Sequence, residues 1–410
     1  MSNYSDLLKT PGVARIISAQ LVARFPFGML SLAFLLHIEQ ITGSYGAAGL
    51  VLAATSIGQA VAGPLTSRFM GRWGMRPVIT ITLAICAAMV TLIALVPMSV
   101  VMYMVVGAIA GLSMPPIQPA VRTIYPKMVN SRQLTPLFSL DATAQEIIWV
   151  VGPVVTTFVA TQISTVWGIM LAVVFMVGGG IWFLSSPELG RVRIPRSKRK
   201  LGAVLRRPAV LLATGVGFLL VGACAAVEAA VVATFGHGGP EAGLVLAIFS
   251  TGSIAGGLAL GSVQIGPWST ARRMLVVFVG MGLAAVVMFL SGDNPEFWWL
   301  SGALFVAGLG IAPALAVLFA IVSASVKFSD TAEAYGWVGT GQLIGAALGS
   351  AAAGFLIDSS GPVGGFWAAA IFALVGFIVP VLAKRYHPDL RGRDASPLPD
   401  TEAIPVQPTS

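Results

Sequence analysis

The chain has 410 residues, 56% of them hydrophobic and only 10% charged, where soluble domains carry roughly 25% charged residues. That excess excludes a water-soluble globule, and the formal net charge of +8 lies in short polar connections, which excludes a nucleic-acid-binding face. Cys86 and Cys224 both lie within apolar stretches, so they form neither a disulfide framework nor a metal cluster.

Met1 to Thr10 is polar and leads into an apolar segment too long for a signal-peptide core and without a small-residue cleavage site, so nothing is expected to be removed. Apolar segments follow at 13–37, 45–67, 78–96, 99–125, 137–162 and 165–186, and a second six at 208–235, 241–263, 273–291, 297–326, 335–357 and 363–383. Each is close to the ~20 residues that cross ~30 Å of hydrocarbon as a helix. Helices pair every backbone group internally, whereas barrel strands would be about half as long. The predicted fold is an all-α membrane protein of twelve transmembrane helices in two pseudo-symmetric six-helix bundles, at 1–186 and 208–385. A basic linker at 187–207 joins them, and a tail at 386–410, rich in Pro, Asp and Thr, reads as disordered.

With the N-terminus in the cytoplasm, every Lys and Arg except Arg24 falls on the inner side, while outer connections carry Glu39, Glu241, Asp293, Glu296 and Asp358. This obeys the positive-inside rule and predicts a bacterial inner-membrane protein with both termini cytoplasmic. The run from Arg196 to Lys200 reads as a stop-transfer and orientation signal, with an RNA or anionic-lipid patch as the alternative. The halves also repeat each other: AGLVLA at 48–53 returns at 242–247, and AGLSMPP at 110–116 resembles AGLGIAP at 307–313. Two ordered matches at offsets of 194 and 197 residues point to duplication.

Ionisable residues inside apolar segments are costly, so they mark candidate sites. Arg24 lies nine residues past Arg15 and Glu146 ten past Pro136, about 14 and 15 Å deep at 1.5 Å per residue, which predicts a facing pair for substrate or protons. A static buried salt bridge is the plainer alternative. Asp141 is expected to pair structurally with Arg122, and Gln145 shares its helix face. Glu228 stands in the seventh segment without a basic neighbour, as a proton carrier or a carboxyl bonded to backbone. Phe25, Phe27, Tyr103, Trp149, Trp337 and Gln342 are candidate cavity linings or packing residues. The small-residue run from Gly341 to Gly354 signals close helix packing.

Gly63, Pro64, Leu65, Arg68, Gly71 and Arg72, with Arg76 beyond, resemble the glycine, acid and arginine loop of the major facilitator superfamily, in which this loop gates the two halves. Ser67 stands where that family has an aspartate, and one residue is inserted before Gly71. Gly152 and Pro153 resemble the fifth-helix Gly-Pro signature of its drug:proton antiporters, a helix kink, although the surrounding glycines and the fourth-helix arginine, here Tyr103, are missing. The resemblance implies a secondary transporter working as a monomer on a small-molecule substrate within the lipid bilayer, with export coupled to proton antiport. Proton- or gradient-coupled uptake of a sugar or metabolite is the alternative. A polytopic enzyme or lipid-handling protein would need a catalytic cluster, and His37, His237 and His387 all fall at or beyond segment ends. No enzymatic activity, cofactor, metal or nucleic acid is expected.

Overall fold

The computed structural model describes residues 2–197, 199–235, 241–260, 263–291 and 296–400. Lys198, His237, Asp293 and residues 401–410 lie outside them. Among the described residues, twelve helices are long and apolar enough to cross a membrane: α1 (Val13–Thr42), α2 (Gly46–Trp73), α3 (Met75–Leu95), α4 (Val100–Met128), α5 (Ser131–Gln162), α6 (Thr165–Ser185), α7 (Pro208–Phe235), α8 (Glu241–Leu260), α9 (Ser269–Ser291), α10 (Phe297–Ser325), α11 (Phe328–Ser360) and α12 (Pro362–Leu382).

Local chemistry sets these bounds. Ser44, Ser99 and Ser164 cap α2, α4 and α6 by accepting backbone N–H groups, and Asn130 with Gln133 forms a capping box that starts α5 at Ser131. That start is six residues before the apolar run predicted at 137–162, because the first turn and a half of α5 is polar. Gly74, at φ +93°, turns the chain between α2 and α3 where a side chain would be strained. Pro26 begins a new helix inside α1, directly after Arg24 and Phe25.

The repeated sequences mark a repeated contact. Within the first half, a Cβ on Gly111 of α4 would stand 2.0 Å from the Thr55 carbonyl oxygen of α2. In the second half, a Cβ on Gly308 of α10 would stand 2.2 Å from the Phe249 oxygen of α8. Both helix pairs therefore touch backbone to backbone, which only small residues permit. The run from Gly341 to Gly354 acts likewise, since Cβ atoms on Gly345 and Gly349 would each meet an α7 carbonyl oxygen at 2.1 Å.

Twelve spans leave the described residues before α1 and after α12 on one side together with the linker and most basic connections, and this side is termed the basic face. The linker begins as a short helix, Pro187–Arg191, held to the first half by an ion pair between Glu188 and Arg15. The tail differs from the sequence reading over 386–400, which packs on the second half. Leu390 N–H donates to the Ile265 oxygen, Leu398 N–H to the Val326 oxygen and Arg393 to the Ala324 oxygen. Leu390 and Ala395 are buried there. A polar composition hid these few apolar anchors.

Candidate functional site

Three helices of the first half converge on one carboxylate. Asp141 of α5, fully buried, accepts from Arg122 Nε of α4 at 2.9 Å and lies 3.4 Å from Arg24 of α1. Gln20 and Tyr125 also donate to it, at 3.0 and 3.2 Å. Gln145, one turn along α5, accepts from both arginines. The expected pairing of Arg122 with Asp141 is present. The expected pairing of Arg24 with Glu146 is not. Because α5 starts at Ser131, Asp141 is ten residues deep and matches Arg24, eleven residues into α1. Glu146, five residues on, is turned about 140° around the helix at 3.6 residues per turn.

Glu146 points to the second half instead. It accepts the Ser253 hydroxyl of α8 at 2.9 Å, and that oxygen accepts the Ala312 N–H of α10 at 3.1 Å. Glu228 of α7 is exposed and makes no hydrogen bond or ion pair among the described residues. Arg24, Arg122, Asp141 and Glu146 are thus buried together in the interior, two charges of each sign, and buried charges at this depth mark a candidate site.

The halves meet on the basic-face side of this set. Arg122 stacks 3.3 Å over the Phe319 ring of α10. Ser139 of α5 donates to the Gly257 oxygen of α8 at 2.7 Å, and Thr340 of α11 to the Ala60 oxygen of α2 at 2.7 Å. A Cβ on Gly336 of α11 would stand 2.7 Å from the Gly63 oxygen of α2, so these helices also touch through backbone. Arg68 forms an ion pair with Glu333 at 3.1 Å and donates to the Arg199 carbonyl of the linker.

Residues 16–263 and 216–406 match the family model of the Major Facilitator Superfamily. The chain belongs to this superfamily. It is a transporter, built for secondary transport of solutes, and not an enzyme. The transporter is similar in structure to a bacterial homologue of the iron transporter ferroportin in an outward-facing state, at 12% identity over 91% of this chain and 99% of that one, with TM-score 0.73. It is also similar to the human organic anion transporter MFSD10, at 15% identity over 90% and 100%, with TM-score 0.67. At such identities the likeness is one of fold. No curated protein matches the chain.

Against the superfamily loop, the transporter moves the acid across the interface. Ser67 is buried against Gly336, while Glu333 and Asp330 at the start of α11 receive Arg68, Ser197, Arg199 and the Gly202 N–H. Gly71 packs under the Pro195 carbonyl, and Arg72 is exposed with no acidic partner among the described residues. Ser67→Asp would press a buried carboxylate against Gly336, one turn from Glu333 on α11. It is expected to loosen the interface by at least about 1–3 kcal/mol, seen as faster alkylation of a cysteine at Ser139, whereas Ser67→Ala should change little.

The other candidates scatter. Tyr103 is buried in the first-half core and donates to the Val96 oxygen at 3.2 Å, so it does not line a cavity. Phe25 packs on Phe175, with ring centroids 4.9 Å apart. Trp149 is exposed, Trp337 lies beneath Gly202 of the linker, and Gln342 faces Gly217 of α7. Gly152 meets Gly28 of α1 backbone to backbone, and Pro153 lies within an uninterrupted α5. Sequence reasoning passed over Gln20, Tyr125 and Ser253. Gln20 carried a signal, since it stands four residues before Arg24 and so shares its face.

Proposed function

We propose that this transporter exports a small solute in exchange for protons, alternating the exposure of one site between its halves, with the basic face in the cytoplasm of a bacterial cell. The observation that carries the proposal is the hydrogen bond from Ser253 to Glu146, which joins the two halves through a titratable group. Proton occupancy of Glu146 changes what that carboxyl offers to Ser253, so protonation and the packing of the halves are linked. Glu228, exposed on α7 of the second half, is the second proton carrier in this reading. Neither iron nor organic anions are carried over from the structural relatives, whose likeness is confined to fold.

Proteoliposomes under an imposed pH gradient test the reading, with a panel of amphipathic compounds as solutes and a pH-sensitive dye reporting proton flux. Glu146→Gln and Glu228→Gln are expected to abolish gradient-driven transport while solute exchange persists. Gradient-driven transport unchanged in both variants would remove these acids from the mechanism.

A further inference from the structure

A cavity of about 780 Å³ opens on the basic face where the linker enters α7. Arg199, Lys200, Arg206 and Arg207 line it with no acidic residue among the described residues, and Leu201 and Pro208 add apolar surface. A smaller hollow of about 310 Å³ shares Arg207 and brings Tyr386 and Arg393 alongside. An orientation signal needs positive charge only. It needs no concave wall.

Here the wall is built. Gly202, in a left-handed conformation at φ +79°, turns the linker into a single 3-10 turn, Ala203–Arg206, and so returns Arg206 and Arg207 to face Arg199 and Lys200. The turn is pinned from behind, because Gly202 N–H donates to Glu333 at 2.7 Å and Ser197 donates to Asp330 at 2.6 Å. Arg199 has one carboxylate near it, Asp330 at 3.7 Å. Lys200, Arg206 and Arg207 make no ion pair among the described residues. Pro208 is the first residue of α7, so the cavity sits at the depth of the lipid headgroups.

We propose that this cavity binds the phosphate of an anionic phospholipid headgroup. Guanidinium groups grip phosphate oxygens in pairs, and basic pockets at this depth meet the surface where anionic lipids concentrate. The apolar rim lets glycerol and acyl chains leave toward the bilayer. Since the same turn is fastened to α11, a bound headgroup braces the linker against Glu333 and Asp330 and favours the closed basic face.

Native mass spectrometry of the full chain, purified in detergent and supplied with phosphatidylglycerol or phosphatidylcholine, tests the site. Wild type should retain one phosphatidylglycerol, preferred on the order of tenfold over phosphatidylcholine. Arg206→Gln with Arg207→Gln should lose that preference. Arg132→Gln with Arg191→Gln, which removes the same charge elsewhere on the basic face, should keep it. If the glutamine pair fails to fold, Arg206→Lys with Arg207→Lys should fold and bind with intermediate preference, because charge remains while paired contacts are lost. Equal retention of both lipids, or equal loss in both glutamine pairs, would show diffuse attraction and overturn the site. Displacement of the lipid by inorganic phosphate would assign the cavity to a free anion, and displacement by a short RNA to nucleic acid. Either result overturns the lipid assignment.

Discussion

Asp141→Ala is expected to remove nearly all folded protein, while Arg24→Met and Arg122→Met each leave a foldable chain. The asymmetry follows from counting charges around one buried carboxylate. Asp141 holds two arginines, so its loss strands two cations away from water, and removing one partner of a buried pair typically costs about 3–5 kcal/mol. Removing Arg24 instead leaves Arg122 and Asp141 as a neutral pair at 2.9 Å, with Tyr125 and Gln20 still donating. The measurement is yield and melting temperature in detergent for the three single variants. Comparable losses in all three would mean that the cluster does not behave as one carboxylate shared by two cations. The arginine variants also separate stability from transport. If Arg24 serves only to orient helices, Arg24→Met keeps transport; if it touches substrate or tunes Glu146, the chain folds and transport is lost. A stability cycle between Arg24 and Asp141 should show coupling, and one between Arg24 and Glu146 little.

Gly336→Val is expected to shift the molecule toward a state open at the basic face. The added Cβ would stand 2.7 Å from the Gly63 oxygen and 2.9 Å from the Ser67 hydroxyl, against backbone of the opposite half. Overpacking costs about 1–3 kcal/mol, and all of it falls on the closed arrangement, because separating α2 from α11 relieves it. That corresponds to a change of about 5- to 150-fold in the balance of states. In a background with Cys86→Ala and Cys224→Ala, a cysteine at Ser139 reports the change. Ser139 is buried between the halves, so it should resist a membrane-impermeant maleimide until Gly336→Val is added. Gly282→Ala, with open space around it, is the control. Unchanged labelling would mean that backbone contact at Gly336 does not hold the halves together.

The twelve spans and the duplication were legible because both are written in composition. A helix in lipid must be apolar for its whole length, and two helices meeting through backbone must keep glycine at the contact. The interior set was legible residue by residue but not in its pairing. Asp141, Glu146, Arg24 and Arg122 each announced themselves as ions in apolar segments, yet a register error of a few residues at the start of α5 moved the partner of Arg24 from Asp141 to Glu146. That start is decided by Asn130 and Gln133, a capping signal in a polar stretch that hydropathy ignores. The bond from Ser253 to Glu146 was out of reach, since serines in α8 look alike until the two halves are docked. The tail failed for a related reason: Leu390, Ala395 and Leu398 are too few to register as a core, and their packing depends on grooves supplied by α8 to α11.

The linker is gripped twice. Its first helix, Pro187–Arg191, belongs to the first half through Glu188 and Arg15. From Ser197 onward it is fastened to the second half through Asp330 and Glu333, with Arg68 of the first half also donating to the Arg199 carbonyl while the basic face is closed. Only residues 192–196 run between the two grips, and each residue of extended chain reaches at most about 3.3–3.6 Å. The stretch is therefore a leash, and the six residue steps from Arg191 to Ser197 reach at most about 20 Å. When the bundles rock apart, the mouth of the molecule can gape at this edge only until the leash is taut. Any wider swing has to tear the linker from one bundle.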